Sequence, residues 1–169
     1  MPISFADGTS VSTAPSGGAF SSYAILWQRE SSGTHGGSSH TSWYKRNLNH
    51  THADPDSIVS LSNAQFTLQA GSYLFRFGGG GFDLNFDLML RIYNTTDSTE
   101  ICWSGPGSGP GYSDGNGWAY GVGRGTISGQ KTFELQQRAD NDRGSHGWGH
   151  AHGLGTYEVW ATCEIFKEA

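Results

Sequence analysis

The sequence predicts an all-β domain, an antiparallel sandwich or barrel, and three observations support this prediction. Apolar and polar residues alternate with period two along several segments, as expected of half-buried strands. These candidate strands, about nine or ten in number, are separated by turns rich in Gly, Ser and Pro. No segment keeps apolar residues at helical spacing without an interrupting glycine, so a fold with crossover helices between parallel strands is excluded.

The candidate strands differ in the clarity of their alternation. In chain order they are 24–29, 43–48, 66–68, 73–77, 82–93, 101–103, 118–127, 133–136 and 157–165. The clearest is 82–93, where Phe86 and Leu90 belong to a continuous apolar face and Asp83 and Asp87 to the opposite one. Segment 73–77 alternates in the same way just before the glycine run 78–81, and segment 157–165 forms the last strand.

The chain divides into an N-terminal arm and one domain. Residues 1–20 are rich in Ser, Gly, Ala and Thr and contain two prolines, which predicts a flexible or extended arm. Residues 21–169 are long enough for a single domain with a sizeable core. The first residues do not resemble a secretory signal peptide, so we expect synthesis in the cytoplasm. No run of 18 apolar residues is present, so we expect no membrane insertion.

Composition and charge narrow the classes of partner. The net charge of −5 is small and six Trp and seven Tyr supply apolar area, so the chain is expected to fold. Fifteen Asp and Glu outnumber ten Lys and Arg, and the basic residues do not cluster. A nucleic-acid or anionic membrane surface needs such a cluster, so neither partner is expected.

Several segments in a fixed order resemble those of a known family. The stretch 60–73, in which Phe66 is followed by Gly71, Ser72 and Tyr73, is similar to the central strand pair of TNF-like jelly rolls and complement globular heads. Segments 90–97 and 129–136 and the closing strand to Phe166 are similar to versions found in bacteriophage fibre heads and other virion proteins. The resemblance extends over residues 21–167 and implies an antiparallel jelly-roll sandwich that forms a homotrimer.

The same resemblance implies a function on a surface. We expect a phage virion surface protein, a trimeric tail-fibre head that recognises a host-surface glycan or protein receptor. Residues 1–20 would attach it to other virion proteins. The alternative is a structural capsid or tail decoration protein whose role is trimer assembly itself.

Catalysis is not expected, because no nucleophile, base and orienting group can be assembled. The carboxylate pairs Asp83/Asp87 and Asp140/Asp142 are typical of a solvated face. A glycan-active enzyme built on a jelly roll stays an unfavoured alternative, and it would require a carboxylate pair in a cleft.

Aromatic residues in glycine-rich loops are the best candidates for receptor or glycan binding. Rigid apolar rings beside polar groups are what sugars and protein receptors bind. The alternative for each ring is packing at the edge of the sandwich or in the trimer interface. The candidate residues are Trp103, Tyr112, Trp118, Tyr120, Arg143, His146 and Trp148.

Two His-x-His pairs, His50/His52 and His150/His152, are candidate metal ligands. On a strand each pair would point two imidazoles to one side. Near a threefold axis six imidazoles would then form an octahedral nitrogen site for a transition metal. The alternative is that they are surface or interface histidines and that the protein has no cofactor.

The two cysteines, Cys102 and Cys163, cannot form a disulfide framework. Free, buried thiols are the favoured prediction for them, and a bridge between the two is the alternative.

Overall fold

The computed structural model describes residues 3–4, 10–11, 18–82, 87–108 and 116–169, and no helix occurs among these residues. The strands are β1 Ile3–Ser4, β2 Ser10–Val11, β3 Phe20–Ser31, β4 Tyr44–Lys45, β5 His50–Ala53, β6 Ser60–Ser62, β7 Gln65–Leu68, β8 Gly71–Phe82, β9 Asp87–Asn94, β10 Thr99–Trp103, β11 Gly107–Ser108, β12 Asn116–Ile127, β13 Lys131–Ala139 and β14 Tyr157–Glu168. The all-β prediction is confirmed. Within the described ranges, no helix is present that could cross a membrane.

Two antiparallel sheets form the sandwich. The five-stranded sheet has the order β12-β8-β14-β3-β5. The seven-stranded sheet has the order β10-β9-β13-β7-β6, with β11 paired to β9 and β4 paired to β13. Strands remote in the sequence lie side by side, since β14 pairs with both β3 and β8. This is the antiparallel jelly roll that the resemblance implied.

The core lies between the two sheets and is built from the alternating residues of both. Leu26, Phe75 and Ile165 of the five-stranded sheet are buried, as are Leu90 and Leu135 of the seven-stranded sheet. Because the side chains on one face of a strand are two residues apart, the local alternation decides which of them can enter the core.

The predicted single strand 82–93 is two strands in different sheets. Phe82 ends β8 and pairs with Asn116 of β12 in the five-stranded sheet. Strand β9 starts at Asp87 and belongs to the seven-stranded sheet. Residues 83–86 lie outside the described ranges. The apolar face was predicted correctly from Leu88 onward, because that part is one continuous strand.

The glycine run 78–81 continues β8, where the sequence suggested that the strand ends. Gly79 pairs with Ala119 on one side and with Ala161 on the other. A Cβ at Gly79 would lie 2.5 Å from Gln137 Oε1 and 2.8 Å from Leu90 Cδ2. The absence of a side chain therefore lets the two sheets approach at this point, so glycine serves packing here and does not form a turn.

The N-terminal segment contributes two short strands. Ile3 pairs with Val11 and Ser4 with Ser10, which forms a two-stranded sheet of its own. Strand β3 then begins at Phe20. The predicted strand 43–48 is reduced to the two residues of β4. The Arg46 amide still donates to the Leu135 carbonyl of β13, and the chain then turns, since the Leu48 amide donates to the Arg46 carbonyl.

Candidate functional site

The outer face of the five-stranded sheet carries apolar side chains in rows across neighbouring strands. Residues that alternate with the core residues point away from the sandwich. The register of β12, β8, β14 and β3 arranges these residues in rows that cross the sheet. We call this surface the outer sheet face, and its three central rows are Tyr120–Gly78–Thr162–Trp27, Val122–Arg76–Glu164–Ile25 and Arg124–Leu74–Phe166–Tyr23.

Large apolar side chains of the outer sheet face are exposed in the single chain. Tyr120 is 69% exposed and Val122 is 63% exposed. The charges in the middle row neutralise each other, since Arg76 lies 3.4 Å from Glu164. Contiguous exposed apolar surface of this kind is typical of an interaction site.

A cavity of about 360 Å³ opens on the outer sheet face. Tyr120, Val122 and Thr162 contribute to its lining. Gly78 lies in the row between Tyr120 and Thr162, and a Cβ there would lie 2.4 Å from Trp118 Nε1 and 3.0 Å from Tyr120 Cδ1, so the absence of a side chain lets these two rings lie over the sheet beside the cavity. The cavity has room for a side chain of a partner molecule.

The predicted loop aromatics Trp103, Trp118 and Tyr120 lie at strand ends and edges. Trp103 is 43% exposed, and its indole N–H donates to Glu100 Oε2 at 3.0 Å. Trp118 is partly buried, with its ring centroid 6.0 Å from that of Tyr120. The buried Trp118 Nε1 has no hydrogen-bond partner among the described residues. Tyr112 lies outside these residues.

Trp148 does not belong to an exposed aromatic surface. Its side chain is only 3% exposed and is part of the core cluster. The Trp148 amide donates to the Gly37 carbonyl at 2.8 Å, which holds segment 36–39 against segment 143–149. In the same region the Arg143 amide donates to Ser39 Oγ at 2.8 Å, and the His146 ring lies 5.6 Å from that of Phe82. The burial of its ring removes Trp148 from the set of side chains that could stack directly on a ligand.

The first His-x-His pair lies beside Trp27. The His52 ring stacks on Trp27, with centroids 3.7 Å apart and an interplanar angle of 15°. His50 Nε2 lies 3.1 Å from Arg29 Nη1. Burial, then the charges of Arg29 and His52, hold the pKa of His50 below its ordinary value.

The second pair lies in a loop, in a cluster of rings. The His150 ring lies 4.7 Å from the rings of both His35 and Phe82, and 6.1 Å from that of His152. His35 Nδ1 accepts a hydrogen bond from the Ala151 amide at 3.1 Å. Within one chain, the part that the structure describes contains no group of three or more His, Cys, Asp or Glu side chains arranged to hold a metal ion.

A buried arginine that the sequence did not single out lies between the two sheets. Arg46 is fully buried and donates to two amide oxygens, Gln28 Oε1 and Gln137 Oε1, each at 2.8 Å. It also donates to the carbonyls of Gly80 at 3.2 Å and Trp160 at 2.8 Å. All four acceptors are neutral. Loss of hydration lowers the pKa of Arg46 to about 9, so the guanidinium remains charged at neutral pH.

Of the carboxylates considered for catalysis, Asp142 has a structural contact, Asp140 borders a small cavity, and Asp83 falls outside the described ranges. Asp142 Oδ1 accepts the Thr41 amide at 2.7 Å. Asp140 lines a cavity of about 170 Å³ with Met89 and Arg138. Asp83 is not among the described residues.

The two cysteines are free thiols in the structure. Burial raises the pKa of Cys102 to about 12 and raises that of the fully buried Cys163 as well. Both therefore remain protonated and unreactive at neutral pH.

Comparison with known structures identifies the fold. Eiger TNF from S. frugiperda is 12% identical, with a TM-score of 0.57 over 87% of this chain and 92% of that chain. Murine APRIL at pH 8.0 is 8% identical, with a TM-score of 0.52 over 86% and 98%. The globular domain of zebrafish complement 1qA protein is 13% identical, with a TM-score of 0.51 over 86% and 96%.

The chain thus has the jelly-roll fold shared by TNF-like proteins and complement globular heads, as the sequence resemblance predicted. No protein-family model matches the chain, and no curated protein sequence matches it. At 8–13% identity the structural likeness defines the fold, whereas function has to be argued from the surfaces of this chain.

Proposed function

We propose that this protein is a non-enzymatic surface head that assembles as a homotrimer through its outer sheet face and binds a receptor with its loops. The observation that carries the proposal is the exposed apolar composition of that face. Tyr120 and Val122 are each more than half exposed although they lie in the middle of a long strand. Burying side chains of this size stabilises an assembly by about 1.5–3 kcal/mol each.

The resemblance to trimeric jelly rolls supports an assembly of three chains. The arrangement of charge supports self-association, because Arg76 and Glu164 neutralise each other within the face. A second copy can therefore cover the face without burying an unpaired charge. The cavity lined by Tyr120, Val122 and Thr162 supplies a place for a side chain of the neighbouring copy.

Light scattering on a sizing column tests the assembly. We expect the wild-type chain to have three times the monomer mass of 18.2 kDa. Val122→Arg places a charge in the outer sheet face and is expected to produce monomers. Leu154→Arg is the matched control, because Leu154 is 92% exposed and lies outside the strands. A monomeric wild type, or a Val122→Arg variant that stays trimeric, would refute this interface.

For the biological setting, we propose that the protein lies on the surface of a virion. Binding of antibodies raised against the purified trimer to intact particles tests this location. Residues 1–20 attach the head to other virion proteins in this proposal. Exposed Trp103 is the loop aromatic best placed for receptor contact. A fibre head requires that the purified trimer binds host cells and that Trp103→Ala weakens binding. If the protein is a decoration protein, the antibodies would label intact particles, but the purified trimer would not bind host cells.

A further inference from the structure

Two tryptophan rings from distant parts of the chain meet on the outer face of the seven-stranded sheet. Trp103 is the last residue of β10, and Trp43 directly precedes β4. Their ring centroids lie 5.1 Å apart, and the two ring planes are at 88° to each other. We call this pair of rings the tryptophan corner. Because its two walls are perpendicular, a ligand ring can stack on one indole while its edge contacts the other.

The register of the strands fixes the direction in which the tryptophan corner points. Trp103 pairs with Arg91 of β9, whose neighbours Leu90 and Ile92 are fully buried in the core. Because side chains alternate along a strand and paired residues share a face, Arg91 and Trp103 point away from the core. The outer sheet face lies on the other side of the sandwich. The assembly proposed above therefore leaves the tryptophan corner open to a ligand.

Contacts beneath the tryptophan corner hold both rings in place. The Trp103 indole N–H donates to Glu100 Oε2 at 3.0 Å. The guanidinium carbon of Arg91 lies 4.3 Å from the centroid of the Trp43 ring, and Arg91 Nε donates to Gln136 Oε1 at 2.8 Å. Rings that are fixed before binding lose little conformational entropy when a ligand stacks on them, so the tryptophan corner is preorganised.

A hydrogen-bond donor and an acceptor lie beside the rings. Arg138 pairs with Met89, two residues before Arg91 on β9, so its side chain points to the same face. The Arg138 guanidinium carbon lies 5.7 Å from the Trp43 centroid, and its N–H groups donate to no acceptor among the described residues. Arg138 and Asp140 border the same cavity of about 170 Å³. A sugar hydroxyl both donates and accepts hydrogen bonds, so it can use the guanidinium and the carboxylate together.

The charges around the tryptophan corner favour a neutral ligand. Arg91 forms an ion pair with Glu100, and Arg138 shares the border of its cavity with Asp140. An anionic ligand would be attracted by Arg138 and repelled by Asp140, so it would gain little from its charge. A neutral ring with a rim of hydroxyls can use both side chains as hydrogen-bond partners and place its apolar face on an indole.

We propose that the tryptophan corner binds a neutral hexose unit of a surface glycan. The sugar ring stacks on Trp103 against the wall formed by Trp43, and its hydroxyls bond to Arg138 and Asp140. The proposal deepens the receptor-binding function above, rests on it for its biological meaning, and names the class of ligand.

Ligand-observed NMR titration of the full chain tests the class of ligand, with the methyl glycosides of glucose, galactose and mannose as probes. Each is compared with the corresponding uronate, which has a carboxylate in place of the hydroxymethyl group, and with sorbitol, which has hydroxyls but no ring. We expect at least one hexoside to bind about tenfold more tightly than sorbitol and at least as tightly as its uronate. Tighter binding of the uronates would overturn the neutral class, and equal binding of sorbitol would overturn the role of the ring. Failure of all three hexosides to bind would overturn the proposal.

Two variants test the location. Trp103→Ala removes the stacking surface, and Arg138→Met removes the donors from a side chain of similar length, so each should weaken hexoside binding about tenfold. Tyr157→Ala is the matched control, because Tyr157 is 44% exposed, against 43% for Trp103, and belongs to the five-stranded sheet. Its affinity for the hexoside should equal that of the wild type. Variants of Trp103 and Arg138 that melt like the wild type and bind with unchanged affinity would overturn the location.

Binding to host cells separates a failure of this proposal from a failure of the proposed function. If the receptor is a glycan recognised through its hexose units, periodate oxidation of the cell surface should abolish binding of the trimer. A trimer that still binds oxidised cells would overturn the hexose proposal and leave the surface-head function standing. A chain that binds a hexoside through Trp103 and Arg138 but is monomeric and leaves host cells unbound would support the tryptophan corner and refute the function.

Discussion

Replacing the buried Arg46 by methionine tests how the two sheets are held together. The guanidinium joins Gln28 of β3 and Gln137 of β13, which belong to different sheets. Methionine has a similar reach and no donor, so the variant removes the hydrogen bonds with little change in volume. Arg138→Met is the matched control, since Arg138 of β13 is exposed, lies outside the outer sheet face and places its guanidinium carbon 5.7 Å from the centroid of the Trp43 ring.

The magnitude follows from the acceptors that lose their donor. The Gly80 carbonyl keeps a hydrogen bond from Gln137 Nε2 at 3.0 Å. Gln28 Oε1, Gln137 Oε1 and the Trp160 carbonyl lose the hydrogen bonds described for them from Arg46. Each buried acceptor left without a partner costs about 1–3 kcal/mol, and relief of the desolvation of the guanidinium offsets part of the sum, so we expect a net loss of about 3 kcal/mol.

Urea unfolding and thermal melting at one fixed protomer concentration measure this loss. For a chain of this size, 3 kcal/mol corresponds to a decrease in Tm of about 6–12 °C. Arg138→Met is expected to change the stability by less than about 1 kcal/mol, because it removes only an exposed cation–π contact. If Arg46→Met lowers the stability by no more than that control does, the polar network does not connect the sheets and the reasoning is wrong. The loss of stability of Arg46→Lys should lie between that of Arg46→Met and that of the control, because lysine retains the charge and loses the forked geometry.

Three further predictions concern a loop, a close contact and metal. Backbone amides that donate to the Glu158 carboxylate, that of Gly153 first, hold the pKa of Glu158 below its ordinary value. The hydrogen bond from Gly153 to Glu158 therefore stabilises the loop fully above about pH 4.5, and this stabilisation is lost as the pH falls through the lowered pKa. The protection factor of the Gly153 amide, which corrects for the intrinsic pH dependence of exchange, should therefore fall on acidification in the wild type, and a Glu158→Gln variant should not show this change. Gly123→Ala would place a Cβ 2.1 Å from Cys102 Cβ and should cost about 1–3 kcal/mol, whereas Gly129→Ala, with nothing within 4 Å, should be neutral by urea unfolding. Chelator should leave the trimer mass and Tm unchanged, and dissociation by chelator would instead assign metal to the His-x-His pairs in the assembly.

The local pattern of the sequence was sufficient to predict the class of fold. The alternation at Leu88, Leu90 and Ile92 decides by itself which side chains can enter a core, because successive residues of a strand point to opposite faces. All three are fully buried. The order of the turn and strand segments was also enough to suggest the jelly roll.

Positions whose role depends on distant strands could not be assigned in this way. Trp148 was a candidate for ligand contact because it lies among glycines, yet segment 36–39 packs on it and buries it. The burial of Arg46 could not be predicted from the sequence, because a single charge between polar neighbours is typical of an exposed strand. Its acceptors come from residues 28, 80, 137 and 160.

The sequence by itself determined that the chain forms half-buried antiparallel strands and which residues each strand can offer to a core. Only the tertiary structure decided that the glycine run 78–81 continues a strand, that the outer sheet face exposes Tyr120 and Val122, and that Arg46 is buried between the two sheets. The physical reason is the range of the interactions. Alternation is a property of neighbouring residues, whereas close approach, exposure and burial arise where strands far apart in the chain pair.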